Sequence, residues 1–98
     1  MTEAERNELK HDADLPTIRK LIQVVKESVV GDTVNEAFLM NRFTEDEIIV
    51  IGKNATSGYF RKEIRQVVDD EYSSMAHWEY ARLQMIVSIA GTIYFKLG

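Results

Sequence analysis

Apolar side chains at Leu15, Ile18, Ile22, Val25 and Val29 recur at spacings of three and four, opposite Arg19, Lys20, Gln23, Lys26 and Glu27. That period marks one face of an amphipathic α-helix. Asp14 ahead of Pro16 suits its start, because a cap side chain and a residue without an amide both fit a first turn whose N–H groups lack acceptors. Gly31 suits its end. The pattern predicts a helix from Asp14 or Leu15 up to Gly31, preceded by a polar arm over residues 1–13.

Thr33-Val34-Asn35-Glu36 reads as a capping box, with the Thr hydroxyl accepting from the Glu36 amide and the carboxylate returning to the Thr amide. It predicts a short helix through about Arg42, with Val34, Ala37, Phe38 and then Phe43 facing inward. Thr44-Glu45-Asp46-Glu47 repeats the device. Here Phe43 before the cap can pack on Ile48 as a hydrophobic staple, and three acids in the first turn complement the helix dipole. The run Ile48-Ile49-Val50-Ile51 argues the other way, since β-branched side chains favour strands. It weakens a helix by only a few tenths of a kcal/mol per residue, so residues 45–51 are expected as a helix ended by Gly52. The alternative is a strand over 47–52 turning at Lys53-Asn54, which would make the fold α+β with a hairpin within 47–61.

Ser57 is expected to cap a helix whose buried stripe is Phe60, Ile64, Val67 and Val68. Near Asp69-Asp70 or Ser73-Ser74 the chain either breaks or continues. Beyond it, Tyr72, Ala76, Tyr80, Leu83, Val87, Ala90 and Tyr94 alternate by four and three, as in a coiled-coil seam. A second line, Met75, Trp78, Ile86, Ile89 and Ile93, runs beside it, so this helix is apolar around most of its circumference. The expected fold is all-α: a compact bundle of about five helices with a long apolar C-terminal helix, one helical domain over residues 14–98.

A chain of 98 residues has room for one core with little surplus. It holds no cysteine, which removes disulfides, thiolate nucleophiles and cysteine metal sites. Its net charge of −4 offers no general attraction to nucleic acid or to anionic membrane. The opening residues, MTEAERNELKHDAD, hold five acids, two bases and no apolar run, unlike a signal or transit peptide, so a cytoplasmic setting is expected. Residues 83–95 carry no charge, but 13 residues fall short of the roughly 17–25 that span a bilayer. No membrane partner is expected. Asn54-Ala55-Thr56 fits a glycosylation sequon, which has no consequence without secretion.

Candidate chemistry is sparse. If Gly52 were the turn glycine of a helix-turn-helix, Ile48 would be too large at the helix contact, and Lys53 and Gly58 would stand where apolar residues belong. What remains is a basic cluster of Lys53, Arg61, Lys62 and Arg65 against the one acid Glu63 in residues 52–66. Its plain reading is a solvated face with Arg65 paired to Asp69 one turn on. Its functional reading is an anion or nucleic-acid contact helped by amides near Ser57 and Gly58. GKNATSG lacks the closing Gly-Lys-Ser/Thr of a phosphate loop. His77 and His11 have no nucleophile or orienting group in view, and Glu8-x-x-His11 is an unmatched half of a di-iron motif. Asp69-Asp70-Glu71 point in different directions on a helix and cannot wrap one ion. No catalytic residue, metal or cofactor is predicted.

The pattern therefore points to a small non-enzymatic regulatory or adaptor protein that acts by protein–protein binding, as a homodimer formed through its last helix. Tyr72, Met75, Trp78, Leu83, Met85, Ile86, Ile89 and Ile93 are the expected partner or self interface, because they exceed what one short domain needs on one helix and include common interface anchors. The alternative is a nucleic-acid-binding transcriptional regulator that uses the basic helix at 58–68.

Overall fold

The computed structural model describes the backbone of residues 3–55, 58–72 and 74–97, with the side chains of 15–55, 60–72 and 74–96. Among the described residues the chain is all-helical, in the order α1 (Glu3–Glu27), α2 (Glu36–Arg42), α3 (Glu45–Asn54), α4 (Gly58–Val67), a π-helical turn (Val68–Tyr72) continuing α4, and α5 (His77–Leu97). No strand occurs among them, so the hairpin alternative is overturned.

Helix α1 is longer than the pattern predicts, because it starts at Glu3 and carries Pro16 in its interior. Residues such as Ala4, Glu5, Glu8, Leu9 and Lys10 are strong helix formers, and here that propensity extends the helix N-terminally through the proline, which forgoes one backbone hydrogen bond. At the other end α1 stops at Glu27, before Val29. Val29 is consequently 67% exposed rather than part of the buried stripe. Gly31 follows in a separate turn, where the Asp32 amide donates to the Val29 carbonyl at 3.1 Å. Its φ of 96° is the left-handed conformation that favours glycine.

The cap of α2 is Asn35, not Thr33. Its Oδ1 accepts from the Phe38 amide at 2.9 Å, and Glu36 reaches Lys96 on α5 instead of the Thr33 amide. Starting the helix two residues later turns its face. Phe38 and Leu39 go inward while Ala37, expected in the core, is exposed. The second capping box forms in full: the Glu47 amide donates to Thr44 Oγ1 at 3.2 Å and the Thr44 amide to Glu47 Oε1 at 2.7 Å. Phe43 and Ile48 are both buried, as the staple requires.

Gly52 does not end α3, which runs on to Asn54. Its role is close approach. A Cβ on Gly52 would fall on the Ala90 carbonyl oxygen and lie 2.6 Å from the Tyr94 Cβ, so the missing side chain is what lets α5 lie against α3. These two helices form the most extensive pairing in the molecule, with α1 laid across α3, α4 and α5 and α2 on α5.

Phe60, Ile64, Val67 and Val68 are buried as expected, whereas the Ser57 cap lies outside the described residues. The chain does break before the last helix. Ala76 immediately precedes α5, and its amide donates to the Glu79 carboxylate at 2.8 Å, half of a capping box without a hydroxyl. Of the two apolar lines on α5, Leu83, Ile86, Ala90 and Ile93 enter the core, taking positions from both. They join Ile18, Leu21, Ile22 and Val25 of α1, Ile48 and Ile51 of α3, and the buried residues of α2 and α4 in one cluster. The radius of gyration of 13.3 Å is that of a compactly folded chain of this length, about 13 Å.

Candidate partner-binding site

Helix α4 packs on α1, and an open groove lies between α4 and α5. One wall is α4, where Phe60 and Ile64 are buried at the base and Arg61, Lys62 and Arg65 stand exposed on the rim. The other is α5, which contributes Tyr80, Leu83, Gln84, Val87, Ser88, Gly91, Thr92 and Phe95. Those positions advance by three and one in turn, a single continuous helical face. At 1.5 Å per residue this face runs for about 22 Å, roughly four helical turns. Its floor is apolar and its α5 edge is neutral. Phe95 at one end is 72% exposed, with its ring 5.8 Å from that of Tyr94.

The rim cations differ from most of the other cations among the described residues. Arg19 pairs with Glu71 at 2.9 Å, Lys20 with Glu47 at 2.6 Å, Lys96 with Glu36 at 3.1 Å, and Lys26 donates to the Ser74 carbonyl at 2.8 Å. Arg42 lies 4.0 Å above the Phe38 ring. Buried Arg82 donates to the carbonyls of Val29 at 2.7 Å and Asp32 at 3.2 Å. Arg61, Lys62 and Arg65 make no hydrogen bond or ion pair with any described residue. The expected Arg65–Asp69 pair does not form: the π-helical turn starts at Val68 and changes the angular step, and it is Asp70 that accepts from Gln66, at 3.0 Å. Lys53, read with the cluster from sequence, is exposed on α3 outside the groove lining.

The residues expected as an interface fall into separate environments. Leu83, Ile86 and Ile93 belong to the core of the single chain and offer no accessible surface, Ile86 being 0% exposed. Tyr72, Met75 and Ile89 are partly buried against that core. Trp78 is also partly exposed, and Met85 is 50% exposed. Trp78, Met85 and Ile89 are spaced by seven and four, so they form one stripe of α5, distinct from both the core stripe and the groove face. Near it is the exposed pair Val29 and Val30, of which the pattern places Val29 in the buried stripe. Arg82 links the two, since it holds the Val29 carbonyl while its guanidinium lies 5.1 Å from the Trp78 ring. Phe95 was also missed as a surface residue, because a mostly apolar helix does not reveal from sequence which of its sides is left uncovered.

His77 is exposed at the start of α5, and the side chains of Glu8 and His11 lie outside the described residues. Among the described residues no three His, Cys, Asp or Glu side chains gather closely enough to hold a metal ion, and no helix is long and apolar enough to cross a membrane. The titration of Glu47 is perturbed. Its partial burial opposes ionisation, but hydrogen bonds from Lys20 and from the Thr44 amide and hydroxyl, with the charge of Lys20, outweigh that and hold the carboxyl below its ordinary value. This is a capping contact at the start of α3, and Glu47 is not among the residues that line the groove. Comparison with protein-family models, curated proteins and solved structures finds no match for this chain.

Proposed function

We propose that this chain is a small non-enzymatic regulatory or adaptor protein that works by binding another protein and assembles as a homodimer through α5. The observation that carries the reading is the surplus of apolar surface on one helix. After α5 has buried Leu83, Ile86, Ala90 and Ile93, it still presents Met85 and Phe95 to solvent and Trp78, Tyr80, Val87 and Ile89 in part. Aromatic and methionine side chains are enriched at protein interfaces, and contiguous exposed apolar patches mark interaction sites. The Trp78, Met85 and Ile89 stripe, with Val29 and Val30 beside it, is the self-interface in this reading. The test is sedimentation across a range of concentrations at low and high salt. A dimer that resists salt and dissociates in Met85→Glu is expected; a wild type that stays monomeric throughout rejects the homodimer.

One observation favours a second reading, binding of nucleic acid. Arg61, Lys62 and Arg65 form a row without an ion pair to any described residue on an otherwise acidic protein. Exposed Asp69 and Asp70 stand within a turn of that row and oppose a polyanion laid along it. This reading predicts oligonucleotide binding that falls steeply with salt and is lost in Arg61→Glu/Arg65→Glu.

A further inference from the structure

We infer that the α4/α5 groove is the docking site for an amphipathic helix of a partner protein, one whose apolar face is flanked by acidic side chains. This inference rests on the adaptor reading and adds the chemistry of its partner. Three features select that occupant. The groove has the length of about four helical turns, and an apolar floor reached from a continuous face of α5 suits residues at i, i+3, i+4 and i+7 of an incoming helix. Ser88, Gly91 and Thr92 keep the α5 wall low enough for close approach. The charge is one-sided: Arg61, Lys62 and Arg65 on the α4 rim form no ion pair with a described residue, while Gln84, Ser88 and Thr92 opposite are neutral.

A helix seated on the accessible apolar side chains of the groove, Tyr80, Val87 and Phe95, would place carboxylates from its own flank against the three cations. The contact fixes orientation as well as affinity, since only one flank of the incoming helix meets charge. A nucleic acid matches the cations but leaves the apolar floor unused. A second copy of this chain would have to bring an apolar, acid-flanked helix to the groove, whereas the uncovered stripe of α5 has Trp78, Met85 and Ile89 without an acidic flank.

The experiment uses two labelled synthetic helices of about 15 residues, with the same leucine face flanked by glutamate in one and by lysine in the other. Each is titrated against the full chain by fluorescence anisotropy, beside a single-stranded oligonucleotide of similar length. The glutamate peptide should bind about tenfold or more tightly than the lysine peptide, with the difference shrinking in high salt. Arg61→Glu/Arg65→Glu should reverse the preference. Ser88→Trp, at an exposed position that leaves the core intact, should abolish binding of both. Circular dichroism confirms that each variant is folded. Equal binding of the two peptides, indifference to Ser88→Trp, or binding of the oligonucleotide alone would each overturn the assignment. So would a homodimer that dissociates in Ser88→Trp, which would make a second copy the occupant. If the peptides fail while a Met85-dependent dimer persists, the docking site is rejected and the self-association reading stands; if the dimer is also absent, both fall.

Discussion

Replacing Gly52 by alanine would drive a methyl group into the backbone of α5, onto the Ala90 carbonyl oxygen. Backbone cannot step aside as a side chain can, so the helices must part, and overpacking of this kind costs about 1–3 kcal/mol. Gly91→Ala is the contrasting case, since its added Cβ meets only the Ala55 Cβ at 3.5 Å, an ordinary contact. There the gain in helix propensity should dominate, stabilising by about 0.5–1 kcal/mol. Urea denaturation of the two variants should give opposite signs, and destabilisation by both would mean that Gly91 is as tightly opposed as Gly52. From sequence Gly52 reads as a helix end, because nothing local distinguishes a glycine that stops a helix from one that admits a neighbour. Glu47 makes a second prediction at this scale. Its carboxyl titrates below the ordinary value of 4.5 in the folded chain, so the carboxylate contributes stability above that value which is lost as the pH falls through the folded pKa. Glu47→Gln should therefore be less stable than wild type at pH 7, with the gap closing in acid. A gap that stayed constant with pH would show that the ionised carboxylate is not what the contact depends on.

At the scale of elements, the ends of helices are where local signals succeeded and failed. Thr44 and Glu47 close a capping box within four residues, so the sequence contains every participant. Thr33 and Glu36 have the same spacing, but Asn35 caps α2 instead, and Lys96 on α5 draws Glu36 away. A local rule cannot register a competitor that arrives from the other end of the chain. The turn after α1 is held from a distance in the same way. Buried Arg82 donates to two carbonyls in residues 29–32, offsetting its own burial and fixing α5 to the α1–α2 connection. Arg82→Met keeps much of the volume and removes both donors. It should cost about 1–3 kcal/mol in urea denaturation and speed hydrogen exchange at the Asp32 amide. Unchanged exchange there would mean that the turn is set by Gly31 and its own Asp32 contacts alone.

For the whole molecule, the decisive matter is which sides of α5 are covered. Met85→Asp and Ile86→Asp put the same charge on neighbouring residues of one helix and should behave differently. Ile86 is fully buried, so an aspartate there strands a charge in the core and should unfold the chain, seen as loss of helical circular dichroism and a collapsed thermal transition. Met85 is half exposed, so its aspartate should leave the fold intact and act only on assembly in sedimentation. Folding of Ile86→Asp would contradict the placement of that residue. The all-helical class, the bundle, the buried stripe of α4 and the Thr44 cap were all legible in residue order, because each depends on periodicity or on partners within four positions. The basic row Arg61, Lys62 and Arg65 was legible too, but only as a charge pattern. That it rims a groove, without an ion pair to any described residue, follows from how α4 and α5 are placed and from the π-helical turn that shifts Asp69. The same holds for the apolar excess of α5. Composition and spacing make that helix apolar on most sides, whereas the choice between core, groove and exposed stripe was made only when α1, α2 and α3 closed over some of those sides, since burial belongs to the packed set of helices and not to any one of them.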